Sequence, residues 1–165
     1  PATAATPAQA FEVIAATGKG FAVGALLSAN PVYVLFDPQC PHCGRLWQAA
    51  TPLLGKIKMV WVPVAIINPK SAPQGAALLA AANPMEMMSS HEASILAGTG
   101  GVGASASIPS EVEAAIKGNT NLFTRLGLES VPFIVGKNSR SGVVLAHSGA
   151  LSTEKLAEFA GVTAP

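Results

Sequence analysis

Runs of apolar residues without polar alternation mark the candidate strands of this chain. Val32–Phe36 (VYVLF) and the longer segment 57–67 are rich in β-branched and aromatic residues. Such runs are typical of strands buried on both faces of a sheet. A third run, 131–135, contains a proline near its start, and 142–146 follows it as a hairpin partner. Phe21–Gly24 is a candidate edge strand.

Helical patterns occupy the segments between these runs. Residues 8–17 predict a short helix that ends at Gly18 in a left-handed C-cap. Pro41 is placed to begin a second helix, because the amide hydrogen it lacks would have no partner at the first helical position. Pro52 should kink or end that helix. Its apolar face is formed by Cys43, Leu46, Trp47, Ala50 and Leu54.

The segment from about 70 to 127 is predicted to be a helical block. Capping residues place helix starts at Ser71, Asn83, Ser110 and Asn119, with Gly118 ending the third helix. Ser152 predicts the cap of a last helix after the hairpin.

The order of these elements predicts an α/β fold. A β-α-β unit with a right-handed crossover comes first, and a β-β-α unit follows the helical block. A central mixed sheet flanked by helices is the natural packing. We divide the chain into residues 1–30, with a linker, a short helix and the edge strand, and residues 31–165, the main domain with a helical insertion at about 70–127.

Composition excludes several classes of protein. The chain has 165 residues, 50% of them hydrophobic and 12% charged, which excludes a disordered chain. A net charge of +1 gives no basic face for nucleic acid. Mean hydropathy is high at +0.43, but the longest apolar run, 59–67, is interrupted by Pro63 and is shorter than the roughly 20 residues of a membrane span. We therefore expect neither nucleic-acid binding nor membrane insertion.

The strongest chemical signal is the sequence Cys40-Pro41-His42-Cys43, at a strand-to-helix junction. Two thiols with this spacing can close a small disulfide ring without moving the fold. The helix N-terminus favours the thiolate of Cys40, and His42 can add a hydrogen bond or a positive charge. Pro41 fixes the turn. We predict that Cys40 attacks and that Cys43, on the apolar face, resolves the mixed disulfide.

Other interpretations of the cysteines and of nearby residues remain open. Half of a zinc site would need two more ligands, and neither other histidine, His91 or His147, lies in a paired motif. A structural disulfide closing so short a loop would stabilise little. The glycine pattern at 98–103 lacks the preceding strand that a dinucleotide site requires. A soft Cu(I) site is an alternative for four neighbouring side chains, Met85, Met87, Met88 and His91.

Two segments resemble a known family. VYVLFDPQCPHCGRLW, together with ESVPFIVG far downstream, resembles the thioredoxin-fold domain of the periplasmic Dsb proteins. The segments FDPQCPHCGRLW and VPVAIINPKSAPQGAALLAA are most similar to the DsbC and DsbG branch. The resemblance implies a cis bond between Val131 and Pro132, in a loop that faces the two cysteines and pairs with an extended substrate segment. His42 and Val131 are more like the DsbA oxidases.

The resemblance implies a thiol–disulfide oxidoreductase that needs no cofactor or metal. Its partners would be the thiols and disulfides of exported proteins, and a membrane redox partner would recycle it in the periplasm. The expected type is a DsbC/DsbG-like isomerase or reductase. A DsbA-like oxidase is the alternative, followed by a periplasmic chaperone or copper-binding module. About 30 residues precede Val32, too few for the dimerisation domain of that branch, so we expect a monomer.

Overall fold

A computed structural model describes residues 5–104 and 107–165; positions 1–4 of the predicted linker lie outside the described residues. The described strands are β1 (Phe21–Gly24), β2 (Val32–Phe36), β3 (Lys58–Pro63), β4 (Phe133–Lys137) and β5 (Val144–Ser148). The described helices are α1 (Pro7–Thr17), α2 (Pro41–Ala50), α3 (Ser71–Ala80), α4 (Pro84–Leu96), α5 (Ser110–Arg125) and α6 (Thr153–Ala160).

The strands form one mixed sheet in the order β1-β3-β2-β4-β5. The central strand β2 pairs in parallel with β3 and antiparallel with β4, while β1 and β5 pair antiparallel at the two edges. Because β2 and β3 are parallel, their carboxyl ends meet at one edge of the sheet. The predicted α/β architecture of a thioredoxin fold, with helices flanking a mixed sheet, is confirmed.

Both faces of the sheet are covered, which explains the unbroken apolar runs. Val34, Leu35 and Phe36 of β2 are all fully buried. On one face Trp61 packs edge-on against Phe36 and Trp47, with ring centroids 5.4 and 5.3 Å apart. Residues of α2, α4 and α6 complete this core, and residues of α1 and α5 complete the core on the other face.

Helix α2 forms as its sequence predicts. Cys40 is the N-cap, Pro41 is the first helical residue, and the helix ends at Ala50 before a 3₁₀ turn at Thr51–Leu53 that includes Pro52. The predicted apolar face is buried, with Cys43 completely shielded from solvent.

Several element boundaries differ from the predictions. Gly18 ends α1 in an extended conformation with φ −68°, so the left-handed C-cap was wrong. The N-cap of α3 is Lys70 and not Ser71, the N-cap of α5 is Pro109 and not Ser110, and the hairpin strand begins at Val144 and not at 142.

The predicted break at Gly118 and the cap at Asn119 were also wrong, because α5 runs unbroken from Ser110 to Arg125. The Asn119 side chain is buried, where it accepts a hydrogen bond from Lys19 N and donates to Lys19 O and Pro63 O. Asn119 therefore ties α5 to the sheet and caps no helix. Within the described residues, no helix is both long enough and apolar enough to cross a bilayer.

Candidate active site

The two cysteines lie at the carboxyl edge of the sheet. Strand β2 ends at Phe36, and the turn at 37–39 leads directly to Cys40 at the N-terminus of α2. The amide of Cys40 donates to the carbonyl oxygen of Asp37, at 3.0 Å. A rigid central strand and the first turn of a helix therefore fix the position of Cys40.

Cys40 is placed to carry negative charge. Its Sγ accepts a hydrogen bond from the Cys43 amide at 3.3 Å, and its side chain is only 4% exposed. A hydrogen bond from the Cys43 thiol, with smaller contributions from the amides of Cys43 and His42, lowers the pKa of Cys40 to about 7. Burial and the Asp37 charge oppose this shift. A substantial fraction of Cys40 is therefore thiolate at neutral pH.

Cys43 differs from its partner. Its side chain is completely buried, and this desolvation raises the pKa of the Cys43 thiol well above its ordinary value. Both cysteines are free thiols. The motif thus places the acidic Cys40 thiol at the N-terminus of α2. The buried, protonated Cys43 thiol lies one helical turn further along the helix.

Val131 and Pro132 lie opposite Cys40. The bond between them is cis, as expected. The Cys40 thiol faces the Val131 carbonyl oxygen at 3.7 Å, and the Pro132 carbonyl accepts a hydrogen bond from Gly149 N at 2.8 Å. The structure therefore brings together the two parts of the chain that the sequence separates by ninety-one positions.

The structure shows how the two residues between the cysteines are placed. Pro41 is exposed and occupies the first helical position. The His42 ring also lies on the exposed side, where its Nδ1 accepts a hydrogen bond from Arg45 at 2.8 Å. His42 lowers the pKa of Cys40 through its backbone amide. The imidazole therefore forms a hydrogen bond with Arg45.

Asp37, which directly follows β2, is a buried residue of this region. Its carboxylate is fully buried and accepts four hydrogen bonds. The donors are the amides of Gln39, Ile66 and Ile67 and the hydroxyl of Ser71. Asp37 therefore connects the Cys40 turn to the loop after β3 and to α3. The position of an aspartate beside Cys-x-x-Cys gave no sign of these distant partners.

Helix α4 brings His91 and Glu92 to the same region, and sequence reasoning missed this placement. His91 is buried, with Nε2 at 2.6 Å from the Pro38 carbonyl and Nδ1 accepting from Val102 N at 3.1 Å. Both ring nitrogens are occupied, so the copper alternative lacks its imidazole ligand. Burial lowers the pKa of His91, which keeps the ring neutral.

The methionines of α4 and the glycine-rich segment also have structural roles. Met88 is fully buried in the core, whereas Met85 is 43% exposed. Gly101 has φ +90°, and a Cβ there would lie 2.5 Å from the His91 ring. Gly101 and Val102 of this segment thus pack against His91. Within 5–104 and 107–165, no group of three or more His, Cys, Asp or Glu side chains is arranged to hold a metal ion.

A strand-to-helix Cys-x-x-Cys facing a cis-proline loop, on this sheet topology, defines the chain as a thioredoxin-fold protein with a dithiol site. Solved structures show the same fold, as the comparison below describes. No family model matches the chain. The catalytic domain of Proteus mirabilis ScsC superimposes with a TM-score of 0.68 at 15% identity, covering 92% of this chain and 95% of that one. At this identity, the likeness concerns the fold.

Sequence comparison identifies the relatives more closely. The chain is 33% identical over 132 residues to the thiol:disulfide interchange protein DsbG of Pseudomonas aeruginosa, covering 79% of this chain and 50% of the relative. It is 33% identical over 105 residues to DsbG of Escherichia coli, covering 62% of this chain and 42% of that relative. The chain is therefore homologous to Dsb thiol:disulfide interchange proteins. It spans about half the length of the curated relatives it matches.

Proposed function

We propose that this chain is a thiol–disulfide oxidoreductase that exchanges disulfides with exported proteins in the periplasm. The observation that carries the proposal is the asymmetry of the dithiol. Cys40 has a pKa of about 7, while burial keeps the Cys43 thiol protonated. Only the thiolate is nucleophilic, so this arrangement assigns the attack to Cys40.

The reaction proceeds in two exchanges. The Cys40 thiolate attacks one sulfur of a substrate disulfide, forms a mixed disulfide and releases the other substrate sulfur as a thiolate. Cys43 then attacks Cys40 Sγ, which closes the Cys40–Cys43 disulfide and releases the second substrate thiolate. The substrate disulfide gains two electrons and the enzyme dithiol loses them; the reverse sequence oxidises a substrate dithiol.

The loop at Val131 and Pro132 is proposed to hold the substrate. Its backbone lies beside Cys40, where an extended polypeptide can pair with it by main-chain hydrogen bonds. Ile66 and Ile67 follow β3 at the same edge of the sheet and are 40% and 46% exposed. Their apolar side chains favour substrate segments that are unfolded and expose hydrophobic residues.

The 33% identity to the two DsbG proteins favours the isomerase or reductase type. Such an enzyme works with its dithiol reduced, so we propose a membrane redox partner that returns electrons to Cys40 and Cys43.

A DsbA-like oxidase is the second candidate, favoured by His42 within the motif and by Val131 before the proline. The redox equilibrium of the Cys40–Cys43 pair with glutathione separates the two. A potential near the value of about −120 mV for DsbA would indicate an oxidase, and a clearly lower one an isomerase or reductase.

The test of the proposed function is reactivation of a protein substrate with scrambled disulfides. The chain should restore activity when its dithiol is kept reduced, and Cys40→Ser should abolish this effect. Retained activity of Cys40→Ser in preventing aggregation, with no thiol exchange by the unaltered chain, would instead indicate a chaperone. Arg140→Ala, a change at an exposed position in the β4–β5 connection, serves as the control and should behave like the unaltered chain.

A further inference from the structure

A polar cavity of about 290 Å³ lies between the start of α3 and the glycine-rich segment. Lys70 and Gln74 line it on one side, and residues 99–103 line it on the other. Among the described residues, neither cysteine lines this cavity, so a group bound there is held apart from the reacting sulfur atoms.

Two glutamine side chains connect the cavity to the reacting thiol. Gln39 directly precedes Cys40. The Gln39 Nε2 donates to Gln74 Oε1 and, at 3.1 Å, to the carbonyl oxygen of Gly100. The Gln74 side chain is 4% exposed and donates to the carbonyl oxygens of Gly100 and Val102, at 2.8 and 3.0 Å. These hydrogen bonds fix the cavity wall relative to the turn that carries Cys40.

Lys70 supplies the positive charge of the cavity. Its side chain is exposed, and its Nζ lies 3.6 Å from the position that a Cβ would take on Gly100. Within residues 5–104 and 107–165, no carboxylate lies within 4 Å of this nitrogen. An ammonium group at the wall of a polar cavity, with no carboxylate of its own chain beside it, favours an anionic ligand.

The other charged side chains around the dithiol do not compete for such a ligand. The Asp37 carboxylate is fully buried and bound by four hydrogen bonds. Burial raises the pKa of Glu92 to about 9, so this carboxyl group is uncharged at neutral pH. Arg45 donates to His42. Lys70 is therefore a cation that remains open for an ion pair with a substrate.

The loop before Lys70 adds apolar surface to this charge. Ile66 and Ile67 are exposed on it, and Asn68 connects it to the active-site turn. Asn68 Nδ2 donates to Gln39 Oε1 at 3.2 Å, and Asn68 Oδ1 accepts from Lys70 N at 2.8 Å. A substrate segment that contains both hydrophobic and acidic residues matches this surface.

We propose that Lys70 selects substrate segments that carry a glutamate or aspartate two or three residues from the attacked cysteine. This inference rests on the proposed function and names the class of polypeptide that the site prefers. The substrate carboxylate enters the cavity and pairs with the Lys70 ammonium, while the sulfur of the same segment meets Cys40 Sγ. The spacing follows because an extended peptide advances about 3.3 Å per residue and the cavity wall begins at Gln39, one residue from Cys40.

The reaction of the reduced chain with peptides whose single cysteine is disulfide-bonded to thionitrobenzoate tests the proposal. Cys40 attacks the peptide sulfur, a mixed disulfide forms, and thionitrobenzoate leaves with the electron pair of the broken bond, so absorbance gives the second-order rate constant. Peptides with Glu two or three positions before or after the cysteine are compared with the same peptides carrying Gln. At low ionic strength the best Glu peptide should react about three- to fivefold faster, the range for an ion pair open to solvent. Sodium chloride at about 0.5 M should remove the difference.

Substitutions of lysine identify the group responsible. Lys70→Met should abolish the preference for the Glu peptide, and Lys70→Glu should transfer it to a peptide with Lys at that position. Lys117→Met, at an exposed position of α5, changes the net charge equally and should keep the preference. A preference that survives in Lys70→Met would overturn the inference, because another cation, such as Arg45, would then be responsible.

The unaltered chain separates failure of this inference from failure of the proposed function. Equal rates for the Glu and Gln peptides would contradict the role of Lys70 and leave the exchange reaction standing. Failure of the Gln peptides to release thionitrobenzoate would contradict the proposed function itself.

A second measurement locates the substrate carboxylate. In Cys43→Ser the peptide stays bound to Cys40 as a mixed disulfide, because the resolving thiol is missing. Amide NMR spectra of the Glu and Gln adducts should differ most at Gly100 and Gly101. Identical chemical shifts at these amides in the two adducts would show that the carboxylate does not enter the cavity.

Discussion

The imidazole of His91 donates from Nε2 to the carbonyl oxygen of Pro38, at 2.6 Å. This bond joins α4 to the turn that carries Cys40, two residues after Pro38. The same ring accepts from Val102 N through Nδ1, which attaches the glycine-rich segment to the site. Helix α4 is therefore a structural support of the candidate active site.

Replacing His91 by Ala should destabilise the protein by about 2–4 kcal/mol, because a buried carbonyl and an amide lose their partner and a cavity forms. Urea unfolding at pH 7 measures this change. His147→Ala, at an exposed position of β5, is the control and should change the free energy of unfolding by less than about 0.5 kcal/mol.

The same residue should make stability sensitive to acid. Burial lowers the pKa of His91, so below the unfolded value of about 6.5 the unfolded chain binds a proton that the folded chain does not. Stability therefore falls as pH decreases from 6.5 towards the folded pKa, and this part of the loss should be absent in His91→Ala. An equal acid dependence in both proteins would contradict the assignment.

Replacing Asp37 by Asn should also be destabilising, by about 2–3 kcal/mol. The amide has one acceptor oxygen where the carboxylate has two, and its NH₂ group would face N–H donors from Gln39 or Ile66. Ser71→Ala removes one donor, leaves the carboxylate in place and should cost about 1 kcal/mol. Faster amide hydrogen exchange at Ile66 and Ile67 in Asp37→Asn would show that the loop is released.

The acidity of Cys40 should depend on the side chain at position 43. Cys43→Ala removes the hydrogen bond that contributes most to the lowered pKa, so the Cys40 pKa should rise from about 7 towards an ordinary thiol. Cys43→Ser keeps a hydroxyl donor and should keep the pKa lower than in Cys43→Ala. Thiolate absorbance titrated against pH measures both.

His42→Ala is the informative comparison for that titration. Its backbone amide remains, and the ring it loses pairs with Arg45, so the Cys40 pKa should change little. A large rise in His42→Ala would show that the imidazole itself stabilises the thiolate.

Glu92→Gln should change how stability depends on pH. With a folded pKa of about 9, Glu92 stays protonated in the folded dithiol protein while the unfolded chain releases the proton above an ordinary value of 4.5. Unfolding therefore becomes easier as pH rises between these values, by about 1.4 kcal/mol per pH unit. The variant should lack this contribution, so its stability relative to the unaltered chain should increase from pH 5 to pH 7 in urea titrations.

Local patterns in the sequence were sufficient for the centre of the site. The apolar run at Val32–Phe36 has no polar alternation because the strand is covered on both faces, and Pro41 after Cys40 fixes the start of α2. The buried position of Cys43 follows from helical spacing alone. These features depend on neighbouring residues. For that reason the strand, the start of α2 and the difference in position between Cys40 and Cys43 were predictable.

Long-range contacts decided the rest. The apolar run continues to residue 67, yet β3 ends at Pro63, because the amides of Ile66 and Ile67 bind Asp37 and leave the sheet. Asn119 carries a local capping signal but lies inside α5, because its amide group is satisfied by Lys19 and Pro63.

Glu92 shows the limit of sequence reasoning most clearly. A glutamate in a helix is ordinarily a solvated residue, and nothing near it in the sequence indicates burial. The packing of α4 against α2 places its carboxyl against Gly44, the residue after Cys43, and removes it from water. The sequence by itself therefore predicted the positions of the two thiols, and the tertiary structure alone decided that a carboxyl group is buried near them, because desolvation depends on how distant elements pack.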